Sequence, residues 1–335
     1  MFGCLGNYVY LCRMKLLMPM MKISLQTAVL LLTMLAMVQC GQAQEEPALT
    51  EEELRVAASQ RIYSTAVRTL VGDEKGIMLF PDADSVAVSK LLGGLTADAW
   101  MLVEDSTGRL LSARNAHQRM FPASLTKMMT CMLALERGTM GDTIRITEDV
   151  FLSKDSRVRL GDSYLLGDMI REMMLQSDND AANAIAKNIG GDIPAFCQLM
   201  NEKAAYLGMD STHFANPNGM PNDSTYSTAR DLLVLARYCM RDSAFAAIVG
   251  TAFLDIPLTD GRHLPCQNTN LLLDSYEGCI GVKTGFTRRA GGCLASAATR
   301  HGTTLFLVLL HSKNQASRFA ESTTLLDYGF RVAGN

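Results

Sequence analysis

The chain has 335 residues, of which 48% are hydrophobic and 19% charged, so it can bury a large core and is not intrinsically disordered. Its 31 basic and 34 acidic residues give a net charge of −3. Loss of Arg13, Lys15 and Lys22 with an N-terminal signal would leave 28 basic residues and a net charge of −6. This acidic balance argues against nucleic acid as a partner.

Residues 1–43 are predicted to be an export signal. Lys22 precedes an apolar stretch, 23–38, that is short and interrupted for a membrane-spanning helix, and GQA at 41–43 fits a small-x-small cleavage site. A lipoprotein signal modified at Cys40 and an uncleaved anchor are the alternatives. We therefore expect an exported protein, in the periplasm or cell envelope at the outer face of the cytoplasmic membrane. Any membrane contact would be made through this N-terminal anchor or lipid.

Residues 44–95 are predicted to form an N-terminal helical extension. Thr50 lies three residues before Glu53, the spacing of a capping box, and an amphipathic helical pattern follows.

From residue 97 the pattern changes to two short apolar runs, 97–104 and 109–114, around the turn sequence DSTG. This change predicts a β-hairpin.

Helical periodicity dominates the middle of the chain, and strand patterns return near its end. The predicted helical segments are 124–136, 166–176, 181–189, 194–209 and 228–240. The predicted strands are 278–285, 291–300 and 303–312, followed by an amphipathic helix over 317–330.

These elements predict an α+β fold within one main domain, residues 96–335. Two strands from the front and three from the back would form an antiparallel sheet of about five strands flanked by helices. A helical subdomain at about 140–275 would be inserted beside it, with a cleft where the two meet.

Six cysteines lie beyond residue 43 and are widely spaced, without a CxxC motif or histidines at zinc-ligand spacing. No metal site and no cofactor is therefore predicted. Because export permits disulfides, Cys266 and Cys279 are the first pair to test.

Three short motifs occur in order along the chain: Ser124-Leu-Thr-Lys127, Ser177-Asp178-Asn179 and Lys283-Thr284-Gly285. Each is predicted in a specific setting, the first opening a helix after Pro122, the second at a helix break and the third ending a strand. Together they form the motif set of β-lactamases and penicillin-binding proteins.

The first motif predicts nucleophilic catalysis. On a helix Ser124 and Lys127 would lie on one face, and a serine hydroxyl needs an adjacent base to become a strong nucleophile. Lysine can be that base only when it is neutral. Burial among the neighbouring methionines, with like-charge repulsion from Lys283, would favour the neutral form.

The other two motifs supply the remaining roles. Ser177 is predicted to relay a proton to the leaving amine, and Asn179 to hold Lys127 and a substrate amide. Lys283 would contribute positive charge and Thr284 a hydroxyl for a substrate carboxylate. Gly285 would allow close approach of a peptide that adds as a strand.

At these residues the chain resembles the serine D-alanyl-D-alanine carboxypeptidases, the low-molecular-mass penicillin-binding proteins, with a β-lactamase/transpeptidase-like fold. The resemblance extends from about residue 97 to 331. Its segments include PASLTKMMT, LQSDNDAANAIA, MNEKAAYLGMDSTHFANPNGM, STARDLLVLA, NTNLLL, GVKTGFTRRAG, RFAES and LDYGFR.

The resemblance implies peptidoglycan stem peptides ending in D-Ala-D-Ala as substrates, attack by Ser124 and hydrolysis of the acyl-enzyme. It implies β-lactams as acylating inhibitors. Arg318 would grip the terminal carboxylate with help from Thr284 and Thr287, and the N–H groups of Phe286 and Ser124 would form an oxyanion hole.

Three alternatives stay open at this stage. SRVRL at 156–160 resembles the branch of the family that includes D,D-endopeptidases. Class A β-lactamases share the three motifs, but the E-x-x-L-N sequence that they need between the second and third motifs is missing here. A non-catalytic cell-wall binding protein could retain the cleft. The sequence ends at Asn335, soon after GFR, so we expect any tether at the N-terminal end.

Overall fold

The structure is a computed structural model that describes residues 94–152, 156–258 and 260–334. The expected export signal and nearly all of the expected N-terminal extension lie outside these residues. The strands are β1 (Ala99–Glu104), β2 (Leu110–Arg114), β3 (Thr143–Arg145), β4 (Ser163–Leu165), β5 (Phe253–Pro257), β6 (His263–Gln267), β7 (Cys279–Thr287), β8 (Gly291–Arg300) and β9 (Thr303–Ser312). The helices are α1 (Lys127–Arg137), α2 (Leu166–Leu175), α3 (Asn179–Gly190), α4 (Ile193–Tyr206), α5 (Ala229–Cys239), α6 (Ser243–Val249), α7 (Leu272–Ser275) and α8 (Ser317–Ala333).

Five strands form one antiparallel sheet in the order β2-β1-β9-β8-β7. The front hairpin and the three C-terminal strands therefore join as predicted. Strand β1 pairs with β9, so the two ends of the domain meet inside the sheet. Strand β7, which carries the third motif, lies at one edge.

Both faces of the sheet are covered, which is why β9 is an almost unbroken apolar run. Alternate side chains of a strand point to opposite faces. Phe306 and Val308 contribute to the core shared with the helices of the middle segment. Leu305 and Leu307 contribute to a second core, which includes Leu325 of α8.

The middle segment, about 140–275, shares a core with the sheet and carries the second motif. All five predicted helical segments are helical, and four of its helices begin at a side chain that accepts a backbone N–H: Asp178, Asp192, Thr228 and Asp242. The segment is not purely helical, because β3 pairs with β4 and β5 with β6 in two small hairpins. Neither hairpin was predicted from the sequence, and neither were the short helices α6 and α7.

The suggested pairing of Cys266 with Cys279 is wrong, since all six cysteines of the described domain are free thiols. The Cys266 thiol donates instead to Glu172 Oε2 at 2.7 Å. The Cys279 thiol donates to the Gly281 carbonyl at 3.4 Å. Each sulfur therefore has its own partner.

Candidate active site

The first motif lies on a tight turn at the start of α1. Residues Ala123–Thr126 form a 3₁₀ turn that runs directly into the helix, as the position after Pro122 predicted. Ala123 has φ +48°, a strained value for a residue other than glycine. The turn places Ser124 Oγ 3.0 Å from Lys127 Nζ.

Lys127 is wholly buried, with 0% of its surface exposed, and Met128 and Met129 beside it are equally buried. Its Nζ donates to Asn179 Oδ1 at 2.7 Å and to the Asn218 carbonyl at 2.5 Å. Burial lowers the pKa of the Lys127 amine to about 7, and the negative charge of Asp178 opposes that shift. A large neutral fraction is therefore available near neutral pH.

The second motif forms the start of α3. Asp178 is the N-cap, with Oδ1 accepting from the N–H groups of Asp180 and Ala181. Its Oδ2 accepts from Ser156 Oγ at 2.7 Å and from the Arg157 N–H at 3.1 Å. These bonds fix the helix start, so Asn179 is directed at Lys127.

Ser177 lies in the bend just before this cap, with φ +65°. Its side chain is half-buried. Among the described residues its hydroxyl makes no hydrogen bond to Ser124, Lys127 or Lys283. Ser177 lies near the site because Asn179, two residues further along the chain, contacts Lys127. Its role as a proton relay stays a prediction.

The third motif lies in the middle of β7, and not at a strand end as the sequence analysis predicted. Phe286 and Thr287 continue the strand because they pair with Gly292 and Gly291 of β8. Gly285 lies against the nucleophile turn, where a Cβ would be 3.1 Å from the Ser124 nitrogen. A glycine here lets the strand and the turn approach closely.

Lys283 is buried, and its Nζ donates to the Thr284 carbonyl at 3.2 Å. Burial holds the pKa of Lys283 well below its usual value, and the positive charges of Lys127 and Arg318 lower it further. The expected repulsion between the two lysines therefore acts on the pKa of Lys283. At Lys127 the lowering comes from burial.

Arg318, in the first turn of α8, contacts the same strand. Its Nη1 donates to the Gly285 carbonyl at 2.7 Å, while its buried Nε has no hydrogen-bond partner among the described residues. Burial lowers the pKa of the guanidinium to about 10. Arg318 thus adds positive charge beside the third motif.

The other predicted binding residues lie along the same strand. The Thr284 hydroxyl is 2.7 Å from the Thr269 hydroxyl. Thr287 Oγ1 accepts from the Ala290 N–H and so closes the β7–β8 turn. Phe286 is exposed, with 39% of its surface accessible. An extended peptide could therefore reach this strand from solvent.

Sequence reasoning missed the loop 216–220, which completes the lysine site. The Asn218 carbonyl is a partner of Lys127, and Thr130 Oγ1 donates to the Pro217 carbonyl at 2.6 Å. Gly219, with φ +82°, packs against the nucleophile turn, where a Cβ would lie 1.9 Å from the Ala123 oxygen. The NPNG sequence at 216–219 is typical of a break between helices, but a backbone carbonyl carries no side-chain signal.

No group of three or more His, Cys, Asp or Glu side chains in the described ranges could hold a metal ion. In the same part of the chain, no helix has the length and apolarity required to cross a bilayer.

A sequence profile of the peptidase S11 family, D-alanyl-D-alanine carboxypeptidase, matches residues 85–314, which contain all three motifs. The chain belongs to this family. This peptidase S11 member is 32% identical over 268 residues to the D-alanyl-D-alanine carboxypeptidase DacF of Bacillus subtilis. The match covers 76% of this chain and 69% of DacF. It is 30% identical to DacC of Escherichia coli, covering 80% of this chain and 70% of DacC.

Solved structures of similar proteins have the same fold. The DD-transpeptidase of Streptomyces K15 superposes with a TM-score of 0.67 at 30% identity, covering 71% of this chain and 98% of that one. The D-alanyl-D-alanine carboxypeptidase DacD of Francisella tularensis gives a TM-score of 0.65 at 29% identity, covering 70% of each chain. The expected transpeptidase-like α+β fold of this peptidase S11 member is confirmed.

Proposed function

We propose that this chain is a serine D-Ala-D-Ala carboxypeptidase that removes the terminal D-Ala from peptidoglycan stem peptides through an acyl-enzyme on Ser124. The observation that carries the proposal is the 3.0 Å contact between Ser124 Oγ and the buried Lys127 amine. Membership of the peptidase S11 family supports the reaction type.

Acylation begins when Ser124 Oγ attacks the carbonyl carbon between the two D-Ala residues and its proton passes to Lys127 Nζ. The carbonyl oxygen becomes an oxyanion that accepts from the N–H groups of Ser124 and Phe286. The close packing of Gly285 on the Ser124 nitrogen supports this pairing of the two N–H groups. The tetrahedral intermediate then collapses and the peptide bond breaks.

The leaving D-Ala amine takes a proton that comes from the Lys127 ammonium through the Ser177 hydroxyl, so the Lys127 amine becomes neutral again. Water then attacks the ester and gives its proton to neutral Lys127. The Lys127 ammonium then gives this proton to Ser124 Oγ as the ester bond breaks, which restores the serine hydroxyl and the neutral lysine. A β-lactam would acylate Ser124 by the first of these steps.

The terminal carboxylate of the substrate binds beside the third motif, where Arg318 offers positive charge, and Lys283 and the hydroxyls of Thr284 and Thr287 offer hydrogen bonds. The peptide itself pairs with β7, because that strand is the last of the described sheet. This arrangement orients the scissile carbonyl toward Ser124.

This function agrees with the expected export. Stem peptides lie outside the cytoplasmic membrane, so residues 1–43 direct the chain to the periplasm or cell envelope. Residues 44–95 are an extension between that signal and the catalytic domain, residues 96–335. Removal of the signal would give a protein free of the membrane, whereas an uncleaved anchor or a lipid on Cys40 would tether it.

The test uses purified protein, a fluorescent penicillin and monomeric pentapeptide. We expect covalent labelling of the wild type that is lost in Ser124→Ala, with release of D-Ala from monomeric pentapeptide. A wild type that is neither labelled nor releases D-Ala would overturn the proposal. Circular dichroism of Ser124→Ala checks that the variant is folded.

Endopeptidase activity is the second candidate function. The Ser156–Arg157 segment, which carries the endopeptidase-like SRVRL sequence, bonds directly to Asp178 of the second motif. Cross-linked muropeptide dimers distinguish the two activities. Faster conversion of dimers to monomers than release of D-Ala from pentapeptide would favour the endopeptidase.

A further inference from the structure

The side chain of Met220 contacts the second motif. Asn179 Nδ2 donates to Met220 Sδ at 3.5 Å. The same amide accepts from Lys127 Nζ through its Oδ1, so Asn179 lies between the catalytic lysine and the thioether. Met220 also ends the loop 216–220, in which the Asn218 carbonyl is a partner of Lys127. A change at the Met220 sulfur therefore acts directly on a residue of the active site.

The loop holds the backbone of Met220 from both sides. Its N–H donates to Asn218 Oδ1 at 2.8 Å, and its carbonyl accepts from Asn216 Nδ2 at 3.0 Å. Asn218 is buried and donates in turn to Asn183 Oδ1 at 2.9 Å. Met220 itself is 46% exposed. The sulfur is thus kept beside Asn179 on a residue that a small solute can reach from water.

Other sulfur atoms of the described ranges are less suited to react with a dissolved oxidant. Met140, at 38%, is the other exposed methionine, and its backbone carbonyl accepts from Gly167, away from the three motifs. The six cysteines are buried or half-buried, and burial raises the pKa of each of their thiols. A thiol reacts as its thiolate, whereas a thioether needs no loss of a proton.

We propose that Met220 is a modification site, and that its oxidation by hydrogen peroxide lowers the activity of the enzyme. One oxygen atom passes from the peroxide to Sδ: the O–O bond breaks, an S–O bond forms and water leaves. The thioether loses two electrons and becomes a sulfoxide, while the peroxide gains two and is reduced to water. This regulation acts on the catalytic site and rests on the proposed function.

The effect on activity follows from the acceptor strength of the sulfur group. A thioether is a weak acceptor, so Asn179 Nδ2 can leave it for the carbonyl of a substrate amide, the partner predicted for this residue. A sulfoxide is polar, and its oxygen is a stronger acceptor. The substrate must then displace a stronger hydrogen bond. We expect kcat/KM to fall by about tenfold, the equivalent of one hydrogen bond.

The experiment treats the purified protein with hydrogen peroxide, removes the peroxide by gel filtration and measures D-Ala release from pentapeptide. Peptide mass spectrometry measures the gain of one oxygen atom at Met220 and at Met140. In the wild type, kcat/KM should fall in parallel with oxidation of Met220. Two methionine sulfoxide reductases, one for each sulfoxide epimer, should restore it with dithiothreitol as the reductant. Dithiothreitol alone, which reduces oxidised thiols, should not.

Met220→Leu has a similar side-chain volume and no sulfur, so its own kcat/KM should be the same before and after peroxide. Met140→Leu is the matched control, because it removes the other exposed thioether. It should lose activity as the wild type does. The proposal is overturned if Met220 stays unoxidised, if oxidised wild type keeps its kcat/KM, or if Met220→Leu loses activity equally. The first two outcomes are read from the wild type and do not need a folded variant.

A failure of the proposed function is recognised before any peroxide is added. Untreated wild type that neither labels with fluorescent penicillin nor releases D-Ala would show that the catalytic assignment itself is wrong. Wild type that labels and releases D-Ala equally well with Met220 oxidised rejects only the role of Met220.

Discussion

The hydrogen bonds of Lys127 explain how one amine can act as a base. Its two partners besides Ser124, the Asn179 side-chain oxygen and the Asn218 carbonyl, can only accept hydrogen bonds. A neutral amine has two N–H groups and one lone pair. When both N–H groups are donated to these oxygens, the lone pair is directed at the Ser124 hydroxyl. The neighbours thus select the orientation that proton transfer requires.

The acylation rate should therefore depend on pH through Lys127. The pKa of its amine is about 7, and only the neutral form accepts the Ser124 proton. Below that pH the rate should fall by about tenfold per pH unit, and above it the rate should level off. Stopped-flow measurement of β-lactam acylation from about pH 5 to about pH 8 gives the profile. A flat profile over this range would contradict the neutral-lysine mechanism.

Asp178→Asn tests whether the Asp178 carboxylate is the charge that opposes the lowering of the Lys127 pKa. The Asp178 carboxylate raises the pKa of Lys127, so its neutralisation should move the acid limb of the profile to lower pH. Asparagine can still cap α3. Asp192→Asn is the matched control, because Asp192 caps α4 and is absent from the charges that act on Lys127. Its acid limb should coincide with that of the wild type.

At the scale of elements, the site depends on how closely the loop 216–220 packs against the nucleophile turn. Gly219→Ala would place a methyl group 1.9 Å from the Ala123 oxygen. The loop would have to move, taking the Asn218 carbonyl from Lys127. We expect a loss of about 3 kcal/mol in unfolding free energy, from backbone strain and overpacking together. Acylation should slow by about tenfold or more.

Gly208→Ala provides the control for this loop. Gly208 also has a positive φ, +69°, but a Cβ there would meet nothing within 4 Å. Gly208→Ala should lose only the part of the unfolding free energy that comes from backbone strain, about 1–2 kcal/mol, and should keep the wild-type acylation rate. Urea titration and penicillin labelling measure the two effects. Equal losses of unfolding free energy and of acylation rate in both variants would show that contact with the nucleophile turn is unimportant.

Much of this arrangement could be predicted from the sequence, because long apolar patterns identify elements. The five sheet strands and the middle helices α2 to α5 satisfied that condition, whereas the seven-residue helix α6 was not predicted. The β3–β4 hairpin did not, since each strand has only three residues and a single buried side chain. Motif order indicated the catalytic groups, but the Thr130–Pro217 and Lys127–Asn218 bonds involve backbone carbonyls. Such partners depend on the folded path of the chain.

The placement of the third motif was wrong for a related reason. After Gly285 the sequence becomes polar, and the double glycine at 291–292 reads as a turn. In the fold these glycines already belong to β8 and pair with Thr287 and Phe286. Pairing with a neighbouring strand extends β7 beyond the point where its own apolar pattern stops. Single-strand patterns do not contain that information.

At the scale of the whole molecule, the site is assembled from three distant parts of the sequence. The nucleophile turn follows the front hairpin, the second motif begins α3, and the third motif lies on the edge strand β7. The sheet and the middle helices must therefore keep a fixed relation for Lys127 to reach Asn179. One link between these layers is the buried Arg237 of α5, which bonds to the partly exposed Asp105 directly after β1.

Asp105→Ala should weaken the link between Arg237 and Asp105 without changing the catalytic groups. Arg237 is only 4% exposed, and its Nε donates to Asp105 Oδ1 at 2.6 Å, so the variant leaves a buried guanidinium short of a partner. We expect a loss of about 2–3 kcal/mol in unfolding free energy by urea titration. Asp149→Ala, which breaks the exposed pair with Lys187, should change it far less. Both variants should acylate like the wild type while folded, because neither residue contacts the motifs. Slower acylation in Asp105→Ala alone would instead show that this link holds the two layers in register at the active site.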